Sequence, residues 1–146
     1  FKLVTTAAAI EKIDQWEERS FVCDGAYEIG EDRITCPKAH GELDLTAAFA
    51  CSCNGFYAQL SQELGAKTLQ NYTEKAGLLR AFSVSELPIA AGRFDLAEEN
   101  SAQLGWAGVG QSTSLMNPCA MMTFAGTIAN RGTQVLPRLI SKESTV

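Results

Sequence analysis

A-F-A-C-S-C-N-G-F-Y-A-Q-L-S-Q-E-L-G, residues 48–65, is the stretch on which the reading of the whole chain turns. Two apolar helical segments meet at Ser52-Cys53-Asn54. Ala47, Ala48 and Phe49 lead in, and Phe56, Leu60 and Leu64 continue on one face at four-residue spacing. A hydroxyl and a carboxamide therefore stand two residues apart at a break. Side chains at i and i+2 share a side in a non-helical turn and splay in a regular helix, so a corner here would face both into one cleft. Taken alone, Ser-x-Asn is better explained as a plain helix–helix corner, because both residues favour helix ends and turns.

Upstream, Leu3, Ala7, Ile10, Ile13 and Trp16, widened by Val4 and Ala8, form a stripe that predicts a helix over 3–17. Phe21, Tyr27, Ile29 and Ile34 are β-favouring, and Gly30-Glu31-Asp32 is a turn candidate, so 20–36 reads as a small hairpin. His40-Gly41 reads as a turn before the next helix. Asp44 or Thr46 caps a short helix over 46–51. Further helices run over 54–64, closed by Gly65, and over 66–76, with Leu69, Tyr72 and Ala76 inward and Gly77 at the end.

Downstream, residues 78–105 lack periodicity and, with Pro88, Gly92 and the acidic Glu98-Glu99, read as an irregular surface segment. Gly105 to Gly110 superficially suggests a phosphate-cradling loop, but no strand precedes it and no βαβ unit surrounds it. Its glycines instead permit a tight approach of backbone to a neighbouring element. Asn117-Pro118 starts a helix over 118–130, with Met121, Met122, Ala125, Ile128 and Ala129 as its buried stripe and Asn130-Arg131-Gly132 as its end. Thr133 to Ile140 begins a strand interrupted by Pro137, and the tail Ser141 to Val146 frays.

One hundred and forty-six residues, 46% of them hydrophobic, suit one compact domain. A net charge of −5 without a basic cluster argues against a nucleic-acid surface. The longest apolar runs fall far short of a membrane span. Five cysteines cannot all pair internally, and composition does not separate a reducing from an oxidising compartment. Cys23, Cys36, His40 and Asp44 offer a tetrahedral metal set, with Cys36-x-x-x-His40 at usable spacing. No Cys-x-x-Cys pair supports it and the chain has one His, so a disulfide or two free thiols is the favoured reading and no metal or cofactor is expected. Cys51-x-Cys53 reads as two small buried cysteines packing the corner rather than as a reactive dithiol.

The order of motifs resembles the transpeptidase domain of class B penicillin-binding proteins, within the superfamily of serine β-lactamases. Phe1-Lys2 looks like the last half of Ser-x-x-Lys, and Ser52-Cys53-Asn54 like Ser-x-Asn. Gly108-Val109-Gly110-Gln111, Asn117-Pro118 and Ile128-Ala129-Asn130-Arg131-Gly132 follow in that family's order. Two departures stand out. The serine of the first motif would fall two positions before Phe1, and neither Lys-Thr-Gly nor Lys-Ser-Gly occurs. Residues 1–146 are therefore expected to be a partial domain that begins inside the first motif and ends before the last. Its fold class would be mainly α with a small β-hairpin, the helical part of an α+β fold lacking most of its central sheet.

The resemblance implies Lys2 as general base, Ser52 as relay of the leaving-group proton and Asn54 as holder of the substrate amide. It would place the glycine backbone of 105–110 at the Ser52–Asn54 corner. It implies peptidoglycan stem peptides and β-lactams as partners of the intact parent, and the extracytoplasmic face of a bacterial membrane, with an anchor elsewhere, as its place. There a Cys23–Cys36 disulfide is allowed but not required. The isolated piece is expected to be inactive, with the Lys2 amine solvated and protonated at a fraying terminus. It is also expected to self-associate through the Leu3–Trp16 stripe, which the missing sheet would have covered. The alternative is a helical interaction module without chemistry.

Overall fold

The structure, a computed structural model, describes residues 1–95, 101–111 and 114–139. They divide into two compact units, the described residues of Phe1–Tyr72 with Asp95–Ser114, and those of Thr73–Phe94 with Leu115–Val146.

The first unit is built around α3 (Asn54–Leu64), in which Gly55, Phe56, Tyr57, Ala58, Leu60, Ser61 and Leu64 are all buried. The predicted stripe of Phe56, Leu60 and Leu64 is among them, but the helix is covered on more than that face. Three elements surround it: α1 (Lys2–Lys12), α5 (Ala102–Val109) and the hairpin of β2 (Ala26–Ile29) and β3 (Asp32–Thr35). The hairpin pairs Ala26 with Thr35 through Ile29 with Asp32, which leaves Gly30-Glu31 as a two-residue turn. Ile29 and Ile34 pack on Ala58, with Tyr27 and Trp106 against them.

The helix α5 corrects the end of the irregular reading of 78–105 and takes in most of the glycine run that follows it. Glycine lowers helix propensity by about 1 kcal/mol relative to alanine, and two of the eight residues of α5 are glycine. Packing reverses that preference. A Cβ on Gly105 would lie 2.3 Å from Ile34 Cδ1, and one on Gly108 would lie 1.6 Å from Ser61 Oγ. Only glycine lets α5 approach α3 and the hairpin this closely.

The first helix is shorter and differently oriented than its stripe predicts. It ends at Lys12, where Ile13 turns extended and Gln15 takes a left-handed backbone; Trp16–Glu18 adds one 3-10 turn. Its buried face is Val4, Thr5, Ala8 and Ala9. Leu3 and Ile10, central to the predicted stripe, are 41% and 44% exposed. Small side chains win the interior face because α1 lies close against α3 and α5. A second correction concerns Gly41. It opens a strand rather than a turn, since β1 (Phe21–Cys23) pairs antiparallel with β4 (Gly41–Leu43). Asp44 then caps α2 (Leu45–Ala50), its Oδ1 accepting from the Ala47 amide at 2.7 Å. The helix α4 (Ala66–Lys75) buries Leu69 and Tyr72 as expected, and the Tyr72 hydroxyl donates to Glu11 at 2.5 Å.

In the second unit, β5 (Phe82–Val84) and β6 (Leu87–Ile89) form a hairpin within the stretch read as irregular. Its turn residues Ser85 and Glu86 both have positive φ, 47° and 70°. Such turns are usually announced by Asn-Gly or Asp-Gly, and Ser-Glu gives no such signal. The helix α6 (Pro118–Ala129) starts as predicted, with the Asn117 side chain accepting from the Cys119 amide. Its buried face is Ala120 and Thr123; Met122 and Ile128 are exposed, and Met121 is half-buried. The helix is apolar on nearly every side, so periodicity does not choose a face. Residues 133–139 form no regular strand. Glu98-Glu99, Ile140 and the tail lie outside the described residues.

Glycine on α5 and glycine on α6 should respond oppositely to alanine. Gly108→Ala forces Ser61 from its buried place and from its bond to the Tyr57 carbonyl, and should cost about 1–3 kcal/mol in chemical denaturation. Gly126→Ala meets nothing within 4 Å and should stabilise by about 0.5–1 kcal/mol. Equal responses would show that close packing of α5 on α3 is not what requires Gly108.

Candidate active site

The corner between α2 and α3 is made by backbone conformation. Cys51 ends α2 in a near-helical state, and Ser52 then takes a left-handed backbone with φ 56°. Cys53 is the extended N-cap of α3, its Sγ accepting from the Phe56 amide at 3.5 Å, and Asn54 is the first helical residue. A left-handed residue without glycine's freedom is uncommon and costs roughly 1 kcal/mol or more. Here it breaks the helix and aims the Ser52 hydroxyl back toward the start of α1.

Lys2 stands there, at the first position of α1. Its Nζ donates to the Ser52 carbonyl at 2.8 Å, to Ser52 Oγ at 2.8 Å and to Asn54 Oδ1 at 2.9 Å. The three hydrogens of an ammonium thus each find an acceptor. The other end of the Asn54 amide is fixed as well, Nδ2 donating to the Thr35 carbonyl of β3 at 2.9 Å. Tyr57, one turn along α3, lies with its ring 5.4 Å from Nζ, and its hydroxyl shares a 2.7 Å hydrogen bond with Thr6. The amine is therefore not the solvated group expected of a chain end. Burial lowers its pKa from the ordinary lysine value, while the thiols of Cys53, Cys36 and Cys51 work in the opposite direction. Burial likewise raises Tyr57, against the lowering effect of the Thr6 hydrogen bond.

These groups border an open cleft of about 510 Å³, whose walls include Lys2, Phe49, Ser52, Asn54, Gly110 and Gln111. Gly110 closes α5 with φ 96°, and a Cβ there would lie 2.3 Å from that of Phe1. The close approach of glycine backbone thus occurs at Gly110, and it meets Phe1, next to Lys2, rather than the Ser52–Asn54 corner itself. The structure brings Lys2, Ser52 and Asn54 together. Tyr57 and Thr6 were not singled out in the sequence, although Tyr57 shares a helix face with Asn54 through its i+3 spacing.

Behind the corner lies a second cluster. Cys23, Cys36, His40 and Cys53 place one donor atom each within 4.8 Å of one another. Asp44, the fourth donor suggested by sequence, is instead the cap of α2. All five cysteines are free thiols, so the Cys23–Cys36 disulfide is not formed. Cys51 is exposed and Cys53 buried, which corrects the expectation that both pack inside. Burial pushes the Cys53 thiol up to about 12.

Replacing Ser52 separates backbone from side chain. Ser52→Gly and Ser52→Ala both lose the hydroxyl, but only alanine keeps the left-handed penalty. The glycine variant should be the more stable by about 1 kcal/mol in urea denaturation, the reverse of the order inside a helix. The same stability for both would mean that the corner relaxes out of the left-handed region.

Residues 1–145 match the family described as the penicillin binding protein transpeptidase domain. The peptidoglycan D,D-transpeptidase PbpA of Mycobacterium tuberculosis is 32% identical over 98 residues, which cover 67% of this chain and 20% of PbpA. The crystal structure of that organism's PbpA aligns with a TM-score of 0.79 at 26% identity, over 94% of this chain and 33% of the other. Its penicillin G acyl-enzyme complex aligns with the same TM-score at 25% identity and the same coverages. The chain thus spans about a third of these solved relatives and a fifth of the curated one. With 145 of 146 residues inside the match and the helical architecture shared, the chain belongs to the family of penicillin-binding protein transpeptidase domains.

Proposed function

We propose that this chain supplies the base and relay of a peptidoglycan D,D-transpeptidase, an acyl-transfer enzyme acting through an acyl-serine. The observation that carries the reading is the convergence of one lysine amine on the Ser52 hydroxyl and the Asn54 carboxamide, each within 2.9 Å. A helical interaction module has no use for that arrangement.

The nucleophile would be a serine two positions before Phe1, one helical turn from Lys2 and on its face. Lys2, with its pKa lowered by burial, would take the serine proton as oxygen attacks the carbonyl of a D-Ala-D-Ala end. Ser52 Oγ, hydrogen-bonded to the same amine, would pass that proton to the departing D-Ala nitrogen. Asn54, held by Lys2 and Thr35, would present its amide edge to the substrate backbone. An incoming amine from a neighbouring stem peptide would then release the acyl group, with the serine recovering its proton. β-Lactams would stop at the acyl stage, as penicillin G does in the acyl-enzyme complex of the M. tuberculosis relative. A Lys-Thr-Gly segment, absent from residues 1–146, would bind the carboxylate and complete the oxyanion hole. Such chemistry belongs at the extracytoplasmic face of a bacterial membrane. The exposed Leu3 and Ile10 of α1 favour self-association of residues 1–146 on their own.

Fluorescent penicillin tests this in the full-length protein. One label should sit on the serine two residues before Phe1. Lys2→Ala and Ser52→Ala should each slow labelling about 10²–10⁴-fold, the usual contribution of proton transfer. Residues 1–146 alone should take no label, since none of their serines is followed three residues later by lysine. Covalent label on Ser52, located by peptide mass, would overturn these roles.

A further inference from the structure

The cluster behind the corner carries a separate inference. We infer that Cys23, Cys36, His40 and Cys53 bind one zinc ion in a closed tetrahedral site with three thiolates and one imidazole.

The donors come from four separate places in the fold. Cys23 ends β1, Cys36 follows β3, His40 precedes β4 and Cys53 caps α3. Antiparallel pairing of β1 with β4 and of β2 with β3 brings the first three together. Backbone bonds tie the loops between them: the His40 amide donates to the Cys23 carbonyl at 3.0 Å and the Cys36 amide to the Gly25 carbonyl at 2.8 Å. The fourth donor is delivered by the left-handed turn at Ser52. Four donors from four segments thus meet at one place, with Cys23 and Cys53 fully buried and Cys36 and His40 half-buried.

The distances suit a metal. Two sulfurs at about 2.3 Å from a tetrahedral zinc stand about 3.8 Å apart. Cys36 Sγ and Cys53 Sγ are 3.8 Å apart, and Cys23 Sγ and His40 Nδ1 are 3.4 Å apart. The same 3.8 Å is nearly twice the length of a disulfide bond. Backbone amides already point at two of the sulfurs, Gly55 at Cys36 and Phe56 at Cys53, at 3.4 and 3.5 Å. Such donors stabilise thiolates around structural zinc. Three thiolates and one imidazole select a borderline-soft ion of tetrahedral preference, hence zinc rather than magnesium or calcium. Four protein ligands leave no open position, so the ion is structural. On binding, the three thiols release three protons, and the resulting site carries one net negative charge.

The placement gives the ion a task. Cys53 is the middle residue of Ser52-Cys53-Asn54, and Lys2 binds the residues on both sides of it. A metal on Cys53 would clamp the left-handed corner and hold the Thr35 end of β3 through Cys36. The inference does not depend on the acyl-transfer reading, because its readout is the metal itself.

The full-length protein, purified under reducing conditions from zinc-supplemented cells, should contain about one zinc per chain by elemental analysis. X-ray absorption should show three sulfurs at about 2.3 Å and one nitrogen at about 2.0–2.1 Å. After chelation, added Co²⁺ should give the visible bands and thiolate charge-transfer absorption of a tetrahedral centre. Cys36→Ser and His40→Ala should each weaken Co²⁺ binding at least about 100-fold, whereas Cys51→Ser and Asp44→Asn should retain it. If the ligand variants do not fold, the wild-type cobalt spectrum alone decides. A zinc-free protein with no tetrahedral cobalt spectrum would overturn the inference. So would a Cys23–Cys36 or Cys36–Cys53 disulfide in protein isolated in parallel without reductant, or loss of metal in Asp44→Asn or Cys51→Ser.

Discussion

Everything at the Lys2 corner depends on how closely α5 can approach α3. The absence of a side chain at Gly108 is what allows Ser61 to sit beneath it, and the consequence does not stop there. With the backbone this near, the Gly108 carbonyl accepts the buried Thr5 hydroxyl at 2.7 Å. Thr5 is three residues from Lys2, so it shares a face of α1 with it. Thr5 therefore fixes both the rotation and the height of that helix. A buried threonine hydroxyl without an acceptor would cost roughly 1–3 kcal/mol, which makes this bond a lock on register. The position of the amine thus derives in part from a backbone contact one turn further along the same face of α1.

Long, strongly patterned elements were legible in the sequence, and the reasons are local. The Gly65 stop of α3, the Asn117-Pro118 start of α6 and the Gly30 turn of the first hairpin are all written in capping and turn residues. Where tertiary contact overrode local preference, the reading failed. The helix α5 looks like a loop because its glycines serve its neighbours. The face of α1 is set by how near α3 and α5 lie, which favours Val4, Thr5, Ala8 and Ala9 over the larger Leu3 and Ile10. Strand β4 is three residues long and acquires its identity only by pairing with β1.

At the corner, Lys2, Ser52 and Asn54, which meet in space, were singled out through motif order, which encodes a three-dimensional arrangement that spacing alone does not. The fourth member of the thiol cluster was missed for a physical reason. Asp44 has the more conventional sequence distance from His40, but its carboxylate is occupied by the first turn of α2. Cys53 lies beyond a whole helix, and only the sharp corner at Ser52 returns it to Cys36. One three-residue stretch therefore faces two ways. Ser52 and Asn54 look into the cleft, while Cys53 looks into the protein.

The pairing of Asn54 with Gly55 bears on how the protein ages. Asn-Gly is the dipeptide in which a backbone nitrogen most easily attacks the preceding carboxamide, closing a succinimide that opens to aspartate or isoaspartate. In the folded chain the Gly55 amide is engaged by Cys36 Sγ inside the first turn of α3, and the Asn54 carboxamide is held at both ends. Neither partner is free to swing into the geometry of ring closure. Once the corner opens, nothing protects it. The aspartate product would have lost the N–H that meets Thr35 and would set a carboxylate against that carbonyl, while isoaspartate would add a backbone atom to the helix start. Transient unfolding would thus be recorded chemically, at a residue that borders the cleft.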